Sequence, residues 1–439
     1  MKLIRYSLMQ EKIEVAAMND NKFVTRKKTV FCLAMIFLFL LQNLLQQWYE
    51  PFSYLDEAFA FLFFPVFLFC LFKRKHPFVW NRETILFFLL LGVFWLFGWG
   101  GYFRYHYQPL ANTAKDAYVN LKFFLACGVS YLLFFEETLD FSVLKKKLWP
   151  ILNGITLFLF LLCLLDLCCG IFSTETRAGM RAVKLFYSDY TFLVGVCVFL
   201  CSIYLWYFEE KQKRIFLPLI ALSFVMLCTR RVKSMGAVAC IVLIFLLVFY
   251  KRQKINRKIM AAAFLVIAVA AAAAIYQIVS YYYTMGVGSA RAVLTMGAPF
   301  LAFDHFPFGT GWGTYGSAFS TEPYSPVYGM YHMASVWGLS PSYHEFVSDT
   351  FWPMLLGECG YFGVAAYIGV LVLFARKVRN LRIRKGAYAA ALLLFFYLLI
   401  SSSSESAFAN PIAVPFGFWI GFLLAEHKIC EQTKQEMIL

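Results

Sequence analysis

The feature that most constrains this chain is the recurrence of apolar stretches of roughly 20 residues, the length at which a helix crosses the hydrocarbon core of a bilayer. Twelve are legible, at 29–48, 52–72, 84–102, 117–135, 148–170, 188–208, 215–229, 234–250, 259–280, 350–374, 387–402 and 409–426. The chain is 61% hydrophobic and only 15% charged, too little polar surface to cover these stretches in water. In lipid a helix satisfies its own backbone N–H and C=O groups, whereas an open sheet does not. The expected fold is an all-α polytopic membrane protein of about 12 transmembrane helices joined by mostly short connections.

Basic residues orient these helices. With the N-terminus in the cytoplasm, 30 of the 40 Lys and Arg fall on that side. They lie in the tail, in Lys73-Arg74-Lys75 with Arg82, in Lys145-Lys146-Lys147, in Lys211, Lys213 and Arg214, from Lys251 to Lys258, from Arg376 to Lys385, and at Lys428 and Lys434. Such a bias marks cytoplasmic loops and gives an even number of spans with both termini inside. The chain then divides into a cytoplasmic tail (1–28), spans one to nine (29–280), an extracytoplasmic loop (281–349), spans ten to twelve (350–426) and a second cytoplasmic tail (427–439). The first 28 residues are polar and basic without a cleavable-leader pattern, so the first stretch reads as a signal-anchor span.

The same distribution excludes other classes. The net charge of +15 sits in loop clusters, not in a basic stripe interleaved with aromatics, which argues against a nucleic-acid partner. Cys32, Cys70, Cys127, Cys163, Cys197, Cys201 and Cys240 lie inside apolar stretches and read as packing residues. No CxxC spacing is present. No repeat relates two halves of the chain, as many transporters show.

The stretch from Tyr281 to Gly363 breaks the apolar pattern. Its loop portion, about 70 residues long, is of a length that is usually functional or disordered, and its aromatics and glycines argue for order. It carries Arg291, three of the six histidines, several acids and the string HFPFGTGWGTYGS with Gly309, Gly311 and Gly313. No strand precedes those glycines, so they read as a tight turn allowing close backbone approach rather than a nucleotide loop. His305, His332 and His344 are spaced by 27 and 12 residues, which matches no compact metal motif, and no metal or other cofactor is expected.

One carboxylate or imidazole suffices as a general base. Asp349 directly precedes a span, at the interface where an outer site would lie, and His344 is five residues earlier. Glu358, about two turns further in, reads either as a catalytic carboxylate or as an interhelical hydrogen-bonding group. Ten basic residues stay on the outer side against the bias, among them Arg104, Lys184, Arg230, Arg231 and Arg291. Arginine suits phosphate because its planar fork gives two charge-assisted hydrogen bonds. Arg104 and Lys184 read as solvated or headgroup-facing; Arg291 and the Arg230-Arg231 pair are the anion-binding candidates. Asp56, Glu57, Lys122 and Asp166 are ionisable groups at membrane depth, which usually face the interior of a bundle.

These residues resemble the O-antigen polymerase and O-antigen ligase superfamily, membrane enzymes of bacterial surface polysaccharide. The likeness rests on the span count with one dominant late loop, on an outer turn bearing arginine (LCTRRVKSMGA), on Arg291 followed by HFPFGTGWGTYGS, and on LLGECGYFG with Glu358, Gly360 and Gly363. It covers the architecture of nearly the whole chain, while the specific strings cover about 80 residues of the kind that carry function in a long loop. The ligases carry a histidine just before the span that follows the loop. Here that place reads SDTFWP, with Asp349, a departure that favours polymerase over ligase.

The resemblance implies a GT-C-like fold in a bacterial inner membrane and metal-independent glycosyl transfer. The donor would be a glycan on undecaprenyl pyrophosphate, and the acceptor the sugar hydroxyl of a new lipid-linked repeat unit. A chain-length regulator and a flippase are implied as partners. Arg291, Arg230 and Arg231 would hold the pyrophosphate, and Asp349 or His344 would take the hydroxyl proton. Trp312, Tyr315, Tyr343 and Trp352 would stack on sugars or serve as interfacial belt residues. Two alternatives stand beside this expectation: a ligase moving finished glycan to a lipid or protein, and a transporter of the lipid-linked sugar.

Overall fold

The computed structural model describes residues 27–72, 81–135, 141–177, 179–249 and 257–436. The N-terminal tail before Lys27 and the basic clusters within 73–80 and 250–256 lie outside the described residues.

Helix α1 is Lys27–Trp48, α2 is Glu50–Cys70 and α3 is Arg82–Tyr105. Sequence signals set the ends of α3. Asn81 caps its start by accepting the Thr84 N–H at 2.8 Å, and His106 closes it in the left-handed region (φ 52°). Helices α4 (Leu110–Val119) and α5 (Lys122–Phe134) meet at a 55° bend, α6 is Phe141–Cys169, and a short antiparallel hairpin joins Thr176–Arg177 to Met180–Arg181. There follow α7 (Tyr190–Trp206), α8 (Phe208–Cys228), α9 (Val232–Phe249), α10 (Met260–Thr284), α11 (Ala290–Asp304), α12 (Trp352–Ile383), α13 (Lys385–Ser401) and α14 (Ala413–Glu436).

Among the described residues, α1, α2, α3, α6, α9, α10 and α12 are long and apolar enough to cross a membrane. The number rises to nine if the bent pairs α4–α5 and α7–α8 each count as one span. The protein is thus an all-α, multi-pass membrane protein. Each of the twelve apolar stretches lies on a helix, but 117–135 is broken by the α4–α5 bend, and α13 is only 17 residues long.

Helix α7 is apolar on every side and buried almost throughout, the pattern of a central helix. It packs against α13, while α14 packs on α5. Gly417 and Gly421 make the second pairing possible: a Cβ at either would come within 2.5 or 2.1 Å of the Phe123 or Cys127 carbonyl oxygen. Small residues of this kind let membrane helices approach backbone to backbone. Asp56 and Lys122, both buried, form an ion pair at 2.7 Å between α2 and α5, and Gln42 of α1 donates to Asp56 at 2.8 Å.

The connections gather at two ends. At one, Val183 N–H donates to Cys228 O, Gln47 reaches Phe186 O, and Gln108 reaches Pro323 O. At the other, Lys145 pairs with Glu210, Arg384 with Glu426 and Arg376 with Glu83. The second end holds Lys211, Lys213, Arg214 and the Arg376–Lys385 cluster and is here called the basic end. The long segment between α10 and α12 covers the first. It is folded around a core of its own, in which Leu294, Ala298 and Leu301 of α11 pack with Tyr315, Tyr328, Met333 and Leu339.

Candidate functional site

The site begins with a break in α12. Gly360 sits at φ 65° and ψ −175°, outside helical geometry. The break leaves the carbonyls of Gly357 and Glu358 facing the covering segment. Thr310 N–H donates to the first at 2.9 Å and Gly311 N–H to the second at 3.0 Å. Approach this close needs bare backbone on both sides. A Cβ on Gly309 would lie 2.6 Å from Gly357 O, and one on Gly360 would lie 2.7 Å from Pro307 O. Gly309, Gly311 and Gly313 have φ of 78°, 99° and 74°, which only glycine adopts freely. The two glycine strings of the sequence therefore interlock.

Buried carboxylates fix the turn. Glu358 Oε1 accepts the N–H groups of Thr314 (2.8 Å) and Tyr315 (3.1 Å). From α4, Asp116 accepts Gly313 N–H at 2.9 Å and the Ser317 hydroxyl at 2.6 Å. Trp312 inserts beside Gly98 of α3 and donates its Nε1–H to Trp95 O at 3.1 Å. Glu358 has no exposed surface, and its Oε1 accepts from two buried backbone N–H groups, the arrangement of a group that positions the turn. Trp312 and Tyr315 are fully buried and unavailable for stacking on sugars.

Upon this turn the segment brings its two ends together. Arg291, in the first turn of α11, donates from Nη2 (2.8 Å) and Nε (3.2 Å) to Oδ2 of Asp349, the residue 58 positions later. The guanidinium lies 4.7 Å from the ring centre of Tyr281. Both side chains keep some exposure, 17% for Arg291 and 28% for Asp349, so the pair lines the surface of the covered end.

His344 is not part of this pair; its ring Nδ1 lies 3.3 Å from Pro341 O. His305 is buried between α3 and α11, with Nε2 3.1 Å from the Tyr107 hydroxyl and Nδ1 3.0 Å from Leu301 O. Burial lowers its pKa below the usual 6.5, Asp304 opposing. Among the described residues no three His, Cys, Asp or Glu side chains converge as a metal site.

Arg230 and Arg231 occupy the turn between α8 and α9. Arg230 has φ 55° and reaches Met180 Sδ at 3.0 Å, and Arg231 lies 4.7 Å over the Tyr190 ring. The Nε atoms of both are buried without a hydrogen-bond acceptor among the described residues. Glu175 lies in the same cluster; the Tyr190 hydroxyl, then Arg177, hold its carboxyl below the usual carboxylate range. Among the described residues no hydrogen bond, ion pair or ring contact joins either arginine to Arg291 or Asp349. The link is indirect, through the serine-rich turn after α13. Lys233 pairs with Glu405 at 2.8 Å, the Ser406 hydroxyl donates to Ser348 O at 3.3 Å, and Trp352 donates to the Ser402 hydroxyl at 3.0 Å.

Sequence reasoning passed over Asp116, Tyr281, Ser402, Glu405 and Ser406. The string SSSSES between two apolar stretches was a visible signal, since so polar a run between spans demands partners. Asp116 gave none, because only the fold brings α4 to the glycine turn. No family model and no curated protein matches this chain.

Proposed function

We propose that the protein is a membrane glycosyltransferase that polymerises undecaprenyl-pyrophosphate-linked oligosaccharide repeat units into a surface polysaccharide. The observation that carries this reading is the partly exposed Arg291–Asp349 pair, a guanidinium fork beside a carboxylate at the covered end. The donor pyrophosphate would compete with Asp349 for the arginine fork and free the carboxylate. The acceptor hydroxyl oxygen then forms a bond to the anomeric carbon, the bond from that carbon to the pyrophosphate oxygen breaks, and the hydroxyl proton passes to Asp349. Charge on the departing pyrophosphate is met by Arg291, with Arg230 and Arg231 toward its far side, as charge-stabilising groups act in a water-poor site.

In this reading all twelve apolar stretches cross a bacterial inner membrane, in a GT-C-like arrangement with both termini cytoplasmic and the covered end outside. The contact of Arg231, after α8, with Tyr190, at the start of α7, supports two passes there, since the chain returns to the end it left. The concentration of basic groups at the opposite end supports the orientation.

The test is to supply purified protein with lipid-linked repeat units and resolve the products by size. A ladder of longer glycans is expected. Single-step transfer to a lipid or protein acceptor would replace this reading with a ligase, and translocation without bond formation would replace it with a transporter.

A further inference from the structure

A second site lies at the basic end, away from the Arg291–Asp349 pair. Helix α3 packs on α12, and α5 packs on α14. The two pairs touch through Phe87 and Phe124, with ring centres 5.7 Å apart, and through Phe124 and Phe374 at 5.8 Å. Beside these contacts they leave a cavity of about 480 Å3, within the range of small-molecule sites. Phe87, Phe88, Leu91, Phe124, Leu373 and Phe374 form its wall.

The rim differs in character. Asn81 and Thr84 come from the start of α3, Lys377 and Asn380 from the end of α12, and Lys428 from α14. The Lys428 ammonium is set 4.8 Å from the Phe135 ring centre and 5.8 Å from that of Tyr131. Lys377 lines the same opening. Two like charges facing one opening attract an anion between them. Among the described residues that line the rim, the acid is Glu83, which lies 3.9 Å from Arg376.

We propose that this cleft binds an anionic phospholipid, with one acyl chain in the phenylalanine-lined cavity and the phosphate between Lys377 and Lys428. The apolar wall selects a lipid over a soluble anion, which has nothing to place there. The lysines select a net negative headgroup over a choline headgroup, whose cation would be brought beside them. Basic pockets between membrane helices on the cytoplasmic side bind anionic headgroups for this reason. The inference does not rest on the polymerase reading.

The test uses the full chain in zwitterionic nanodiscs, titrated with fluorescent phosphatidylglycerol, with fluorescent phosphatidylcholine and with glycerol 3-phosphate. Phosphatidylglycerol is expected to bind about ten-fold more tightly than phosphatidylcholine, and K377E/K428E to abolish that preference. Leu91→Trp, which fills the cavity, is expected to weaken phosphatidylglycerol binding with the melting temperature unchanged. Equal binding of the two lipids overturns the proposal in favour of a general lipid-facing surface. Glycerol phosphate binding as tightly as the lipid overturns it in favour of a soluble-anion site. Should the variants fail to fold, phosphatidylglycerol with a diazirine at the chain end is cross-linked to the unaltered protein. Labelling of Phe87, Phe124 or Phe374 is expected, and labelling spread over the outer faces of the helices rejects the proposal.

Discussion

Asp116 and Glu358 hold one glycine turn from two different helices. Asp116 accepts the N–H of Gly313, and Glu358 accepts the next two, from Thr314 and Tyr315. Three successive backbone donors are thus satisfied inside the protein by carboxylate oxygens rather than by a helix or sheet. The turn is rigid as a result, and the segment that carries Arg291 and Asp349 is anchored to α4 and α12.

Glu358→Ala leaves two buried N–H groups without acceptors, at a cost of about 1–3 kcal/mol each. The melting temperature in detergent is expected to fall, and proteolysis between α11 and α12 to quicken. Glu358→Gln keeps the accepting oxygen and can turn its amide N–H toward Asp116, so it should stay near wild type. Equal loss in both variants would mean that the carboxylate does more than hold the turn.

The Arg291–Asp349 pair separates a structural from a catalytic role. If the two only tie the segment's ends, the exchange R291D/D349R restores stability and polymerisation together. If they act on substrate, the exchange restores the melting temperature and leaves polymerisation lost, since the fork and the carboxylate have changed places. The second outcome is expected. Arg291→Lys should also lose most activity, because a point charge does not reproduce the bidentate fork.

Asp56 and Lys122 test the body of the bundle. Asp56→Ala strands a buried ammonium and should cost about 3–5 kcal/mol, as breaking one partner of a buried pair does. D56A/K122M removes both charges and should recover most of the melting temperature. A double variant no better than the single one would show that the pair has a role beyond mutual neutralisation.

The covering segment should weaken in acid. Burial lowers the His305 pKa in the folded protein, so the unfolded chain binds the proton more readily. This contribution is fully present above the unfolded value near 6.5 and is lost as pH falls from there through the folded value. Melting curves from pH 8 to pH 5 should show a decline that His305→Gln reduces. An unchanged slope in that variant would assign the acid sensitivity to other groups.

Much of this was written in local sequence. Apolar length marked the long helices α1, α2, α3, α6, α9, α10 and α12, and the strings around Gly309 and Gly360 marked positions where backbone must come close. Other features were not local. Arg291 looked like an isolated cation but has a partner 58 residues on. Trp312 looked like an interfacial aromatic but fills space against Gly98 of α3. Asp116 carried no signal until α4 met the glycine turn.

By itself the sequence determined the membrane class, the helical content and the residue types available at the covered end. Hydrophobic length and backbone self-satisfaction in lipid depend on the chain alone. Only the tertiary structure decided which polar groups meet. Partner choice for Glu358, Asp116, Arg291 and Asp349 depends on helices distant in sequence being brought to one place, and a buried polar group takes whichever donor or acceptor the packing sets before it.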